Sequence, residues 1–151
     1  MHKIIFDASG FRVVFDNLIA HSERDWSYWY THVAMYTALR PDSPLAEVDK
    51  VFITTNDFIN VAKYLKHHLA QLSIDDNFES PVFMPLEFSF QLQAFSGNVE
   101  ADEGTFSVQF LLNIGKHPTN RTDIYVGAWA NMNVKDARMF IASIEELIYG
   151  F

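Results

Sequence analysis

The side chains best equipped for chemistry in this sequence are six histidines, one cluster of carboxylates and a set of amides that alternate with aromatic rings. His67 and His68 are neighbours in a stretch of helical periodicity, about 100° apart around the axis. They therefore do not share one face as the i,i+4 pair of a zinc-binding helix does. Both fall off the centre of the apolar stripe, which predicts solvated rings and no metal. His32 stands in a β-type segment with Tyr30 and Tyr36, where a packed, hydrogen-bonded histidine is the first expectation. Glu100, Asp102 and Glu103 crowd into one connection, an oxygen-rich composition that suits calcium. That connection lacks the D-x-[DN]-x-[DN]-G core and closing Glu of such loops, so a solvated acidic loop is expected. No G-x-S-x-G elbow and no G-x-G phosphate loop occurs. Cysteine is absent, which excludes disulfides and thiolate chemistry. The sequence thus predicts no catalytic residue, no metal and no cofactor.

The amides are more informative. Leu86 to Ala94 and Phe106 to Phe110 alternate strictly between apolar and polar residues. Side chains along a strand point to opposite faces with period two, so each block writes one greasy face and one wet face. With Leu86, Phe88, Phe90 and Leu92 turned inward, Glu87, Ser89, Gln91 and Gln93 point outward. The next strand then exposes Ser107, Gln109 and Asn113. A third packs Ile124, Val126 and Ala128 inward and turns Tyr125, Gly127 and Trp129 outward. Amides beside Tyr and Trp can both hydrogen-bond and stack, and such rings anchor protein interfaces. Gln91, Gln109, Tyr125 and Trp129 are the predicted contacts, with Glu100, Asp102 and Glu103 aiding encounter. The bland alternative is an ordinary antiparallel sheet with one solvated face. Trp26, Tyr28, Trp29 and Tyr30 form a second aromatic run, in which alternation is expected to leave two of the four rings free.

These residues need a scaffold. Phe11 to Phe15, Tyr28 to Thr37 and Val48 to Thr54 read as strands, with a polar connection from Asn17 to Trp26. Thr54-Thr55-Asn56-Asp57 opens a helix, because a Thr hydroxyl can accept from first-turn N–H groups and an acid three positions on favours the positive helix end. Phe58, Val61, Ala62, Leu65, Leu69 and Leu72 give it an apolar stripe. Strands follow at 83–95, 105–114 and 122–130. Asn133 is expected to cap a closing helix, with Asp136 three residues later. Val134, Ala137, Phe140, Ile141, Ile144, Leu147 and Ile148 form its inward stripe, and Gly150 ends it. Short links between strands favour antiparallel pairing. The expected fold is α+β: a single antiparallel sheet of about six to seven strands, covered on one face by two amphipathic helices. At 151 residues the chain is expected to form one domain, residues 1–151.

Eleven basic against nineteen acidic residues give a net charge of −8. Nucleic-acid binding needs a positive footprint, which this chain does not supply. A basic protein partner, reached by electrostatic steering, fits the charge better. No apolar run approaches the roughly 18 residues that span a bilayer. The first residues lack the roughly 7–15-residue apolar core of a secretion signal. No membrane association and a cytoplasmic location are therefore expected.

Phe52-Ile53-Thr54-Thr55-Asn56-Asp57-Phe58 opening the first helix, Phe83-Met84-Pro85-Leu86-Glu87-Phe88-Ser89-Phe90 re-entering the sheet, and the amphipathic close from Val134 to Ile148 resemble the WapI-type bacterial immunity proteins. That resemblance implies a non-enzymatic protein that binds and neutralises a cognate contact-dependent toxin, and it implies no catalytic residues. Two readings stand beside it. One is an enzyme or small-ligand carrier with a pocket between sheet and helices, using His32 with Tyr30 or Tyr36. The other is a homo-oligomer in which the wet sheet face pairs with itself.

Overall fold

The computed structural model describes residues 3–24, 26–100, 103–115 and 122–150. Its elements are β1 (Ile4–Ala8), β2 (Phe11–Glu23), β3 (Trp26–Thr37), β4 (Ala46–Thr54), α1 (Thr55–Leu72), β5 (Phe90–Asn98), β6 (Thr105–Asn113), β7 (Tyr125–Asn133) and α2 (Val134–Tyr149). The protein is α+β, with two antiparallel sheets ordered β1-β2-β3-β4 and β5-β6-β7. The expected single sheet is thus divided. The two sheets meet where Ser9 N–H donates to the Asn131 carbonyl at 2.8 Å. Both flanking strands end within two residues of that bond, β1 into the turn at Gly10 and β7 into α2, so no ladder extends between them.

Helix α1 packs against β3, β4 and β5, α2 against β1 and β7, and the helices against each other. Both lie on the faces that carry the apolar side chains. One hydrophobic cluster runs through both sheets and both helices. Its centre is made of phenylalanine. Phe15 of the first sheet meets Phe90 and Phe110 of the second at 5.9 and 6.3 Å between ring centroids. Phe6 meets Phe110 at 5.6 Å and Phe140 of α2 at 5.2 Å, the latter edge to face. Such geometries suit ring quadrupoles as well as burial.

Strand β2 continues to Glu23, through the stretch expected to be a polar connection. A bulge between Asp16 and Ile19, with Asn17 at φ 52°, explains the misreading. One extra residue reverses the phase of alternation. Leu18 turns inward after Phe11, Val13 and Phe15, although its parity differs from theirs. The expected strand from residue 83 does not begin until Phe90. Pro85 has no N–H for a ladder, its carbonyl accepts from Phe88 N–H at 3.0 Å, and Phe88 takes φ 55°, so the chain turns there. Leu86 and Phe88 consequently face solvent rather than the core. Strand β1 had no counterpart among the expected strands.

Helix α1 opens and α2 closes at the expected residues. Asn133, however, makes no side-chain capping bond, its amide donating instead to the Asp136 carboxylate at 3.3 Å, and Leu147 and Ile148 are only half-buried. Thr54 accepts from Asp57 N–H while the Asp57 carboxylate accepts from Thr54 N–H, both at 2.9 Å, a reciprocal cap. Gly150 closes α2 in the left-handed region at φ 76°. No helix among the described residues is long and apolar enough to cross a membrane.

Because the two sheets share their core, a Phe110→Ala variant is expected to lose about 3–5 kcal/mol of stability. Urea unfolding followed by tryptophan fluorescence and far-UV circular dichroism should give one coincident transition at a lower midpoint. Two separated transitions would show that the sheets unfold independently.

Candidate protein-binding faces

The outer face of the second sheet is built by register. Gln93 stands opposite Gln109, and Gln109 opposite Trp129, so one row crosses all three strands. The next row is Gln91, Leu111 and Gly127. Gly127 is required there, because a Cβ would meet the Phe110 carbonyl at 2.0 Å and the Leu111 side chain at 2.4 Å. Phe90, Leu92 and Ala94 on β5, and Phe106, Val108 and Phe110 on β6, are buried on the opposite face. The expected parity therefore holds from Phe90 to Ala94 on β5, up to the bulge that follows, and from Phe106 to Phe110 on β6.

Trp129 is 63% exposed, and Phe95 stacks against it at 4.8 Å with 23° between the ring planes. Gln91 and Gln109 are half-buried, and the Gln93 amide donates to the Ser80 carbonyl at 3.1 Å. Ser107 donates to the Asn131 side chain at 3.2 Å. Tyr125 lies at the far end of the face, where its hydroxyl donates to the Phe88 carbonyl at 3.2 Å. Glu100 and Glu103 are exposed in the β5–β6 connection, closed by Glu103 N–H donating to the Glu100 carbonyl at 2.8 Å. By strand order this connection sits at the end of the ribbon opposite Tyr125. Asp102 lies outside the described residues.

Several expected outward residues are placed elsewhere. Ser89 and Asn113 are buried. The Asn113 amide donates to the Phe88 carbonyl and to Asp123, while its oxygen accepts from Gly115 and Ile124 N–H groups. Full hydrogen bonding is what allows a buried amide. Ile124, expected to pack inward, precedes β7 and is 49% exposed.

His68 is likewise not solvated. It has no exposed surface, because positions 61, 65, 68 and 72 share one side of α1. Its Nδ1 pairs with the Ser80 hydroxyl at 2.7 Å and its Nε2 with the Phe95 carbonyl at 2.8 Å. A neutral ring satisfies both by accepting from Ser80 and donating to Phe95. Burial is the main force pushing its pKa below the ordinary 6.5, with His67 adding to it and the Phe95 contact opposing. One turn away, Tyr64 donates to the Pro81 carbonyl at 2.7 Å and accepts from Ala94 N–H at 3.0 Å. These contacts hold β5, and so Phe95 beneath Trp129, against the helix.

The first sheet has an outer face that sequence reasoning undervalued. Trp26, Tyr28 and Tyr30 share one parity, so three of the four rings in that run lie outward rather than two. Trp29 alone turns inward, donating to Thr55 at 3.2 Å and packing on Phe58. The three outward rings interlock with Phe52 at 5.1 to 5.9 Å. His21 stacks on Tyr28 at 5.2 Å. His32 is on this same face, turned away from the helices, so it does not reach the space between sheet and helices where a pocket was expected. Its Nε2 meets Glu47 at 3.2 Å and its Nδ1 meets Asp49 at 2.5 Å. Tyr36 is covered by the Arg12 guanidinium at 5.2 Å. Glu47 and Asp49, which alternate with Val48 on the neighbouring strand, carried the signal that could have located this group. Among the described residues, no three His, Asp or Glu side chains converge to hold a metal ion.

No family model matches this sequence, and no curated protein is similar to it.

The fold keeps His68 neutral, so unfolding takes up a proton as the pH drops. Its contribution is complete above pH 6.5 and declines as the pH falls through that value toward the lowered folded one. Thermal midpoints are expected to fall between about pH 7 and about pH 5, and less steeply in His68→Gln. Equal slopes for the two proteins would mean that His68 does not supply the effect.

Proposed function

We propose that this protein is a non-catalytic, cytoplasmic binding domain of the immunity type, which neutralises a basic protein partner through the outer face of its second sheet. The observation that carries the reading is Trp129. It stands 63% exposed in a row of glutamines, with Phe95 fixed beneath it. Large rings on a rigid sheet bring contact area at little entropic cost, and they supply most of the energy at protein interfaces. Gln91 and Gln109 add directional hydrogen bonds around that anchor. The net charge of −8 and the exposed Glu100 and Glu103 favour a basic partner by steering its approach. The resemblance to WapI-type immunity proteins agrees with this combination. An enzyme or carrier site at His32 has less support, because the carboxylates on that ring are open to solvent: the Asp49 side chain is 89% exposed.

The test is affinity capture of a partner from the native lysate at low and high salt, with wild type and Trp129→Ala compared. Wild type is expected to retain a basic protein more strongly at low salt. Trp129→Ala should weaken retention by about 2 kcal/mol, roughly 30-fold. Its unfolding free energy should stay within about 0.5 kcal/mol of wild type, as for other surface changes. Capture of nothing, or equal capture by both proteins, counts against the reading. Self-association, measured as a doubled mass in solution that Trp129→Ala abolishes, would assign the face to a second copy of the chain instead.

A further inference from the structure

We infer that the outer face of the first sheet carries a second site, which takes an arginine side chain from a basic segment of a partner protein. The inference rests on the proposed binding of a basic partner and adds to it a separate surface and a specific recognition chemistry. Two bulges create the place. One lies on β2 between Asp16 and Ile19. The other lies on β4, where Thr31 pairs with Val51 but Val33 with Val48. Each contains a non-glycine residue in the left-handed region, Asn17 and Lys50, both at φ 52°. Such residues are uncommon, and bulges re-aim the side chains beside them. Here both neighbours of β3 are bulged opposite the same pair, Thr31 and His32. The result is a groove of about 720 Å³ along Asn17, Ile19, His21, Tyr30, His32 and Asp49.

The groove offers what a guanidinium needs. Tyr30 provides a ring held in place by His21 at 5.3 Å, Tyr28 at 5.7 Å and Phe52 at 5.8 Å. Asp49 in the lining, and Glu47 beside it against His32, provide carboxylates whose side chains are 89% and 56% exposed. Both contact His32 through one oxygen each, and a carboxylate has two oxygens, so each keeps acceptor capacity for a donor from outside. Asp16 adds a third acid beside the bulge, against Lys50 as the cation lining the groove. A planar guanidinium can lie on a ring while donating to carboxylates, which a compact ammonium does less well. The same face carries one such pair within the chain, Arg12 over Tyr36 at 5.2 Å. A protein segment fits better than a free amino acid. Ile19 and Tyr30 are 58% and 36% exposed at the rim, and only a larger partner covers them.

The test uses the full chain and a short glycine–serine peptide carrying two arginines, against the same peptide with citrulline, which keeps the shape and removes the charge. Aromatic and indole NMR signals of Tyr30, His21 and Trp26 are followed during titration. The arginine peptide is expected to shift these signals and to bind at least about fivefold more tightly than the citrulline peptide. Tyr30→Leu should weaken it about fivefold, and Glu47→Gln combined with Asp49→Asn about tenfold. The carboxylate pair is surface-exposed, so that second variant decides the matter if Tyr30→Leu unfolds. Trp129→Ala should leave peptide binding unchanged. Equal binding of both peptides, or shifts scattered over other acidic surfaces, overturns the inference. If lysate capture depends on Trp129 but the peptide never touches Tyr30, only the groove falls. If the peptide binds at Tyr30 but no partner is captured, only the proposed function falls.

Discussion

The rest of this structure depends on the interlock of phenylalanine rings between two sheets that share no continuous ladder. Phe15 reaches Phe90 and Phe110, and Phe6 reaches Phe110 and Phe140. Apolar burial and ring contact therefore do the joining that backbone pairing would do in one sheet. The constraint also dictates the surface. Once Phe90, Leu92, Phe106, Val108 and Phe110 are committed to the shared core, Gln91, Gln93, Ser107 and Gln109 have only the outer side left. The candidate face is the complement of the core.

A second layer of control is polar. Asp57, Tyr64 and His68 lie along one side of α1 and grip the irregular segment that follows it. Asp57 accepts from Leu86 N–H at 3.0 Å, Tyr64 binds Pro81 and Ala94, and His68 binds Ser80 and Phe95. Residues 80–83 thereby run alongside β5, where Phe83 and Leu92 exchange backbone hydrogen bonds at 2.7 and 3.0 Å. This arrangement satisfies an exposed sheet edge, which is otherwise an invitation to aggregate. It also leads to the surface: His68 holds the Phe95 backbone, and the Phe95 ring supports Trp129.

The two outer faces differ in kind. That of the second sheet is a flat row of amides with one stacked pair of rings, suited to a broad contact. That of the first is a denser aromatic group broken by a bulged groove with carboxylates on its flank. The proposed basic partner would meet an anchor ring on one and a ring with acids on the other.

Much of this was legible in local pattern, wherever pattern ran without interruption. Phe106 to Phe110 showed its faces by alternation alone. Thr54 and Asp57 announced α1, and Gly150 the end of α2, because caps are local chemistry. Pattern failed where the phase was reset. The bulges at Asn17 and Lys50 and the turn at Phe88 each moved side chains to the other face, and their left-handed residues are not glycines that would have given warning. Single residues thus determined helix ends and strand parity, since these depend on neighbours a few positions away. Only the tertiary structure decided the division into two sheets, the burial of His68 and Asn113, and the pairing of His32 with Glu47 and Asp49. Each of those rests on partners distant in the chain, whose arrival no periodicity encodes.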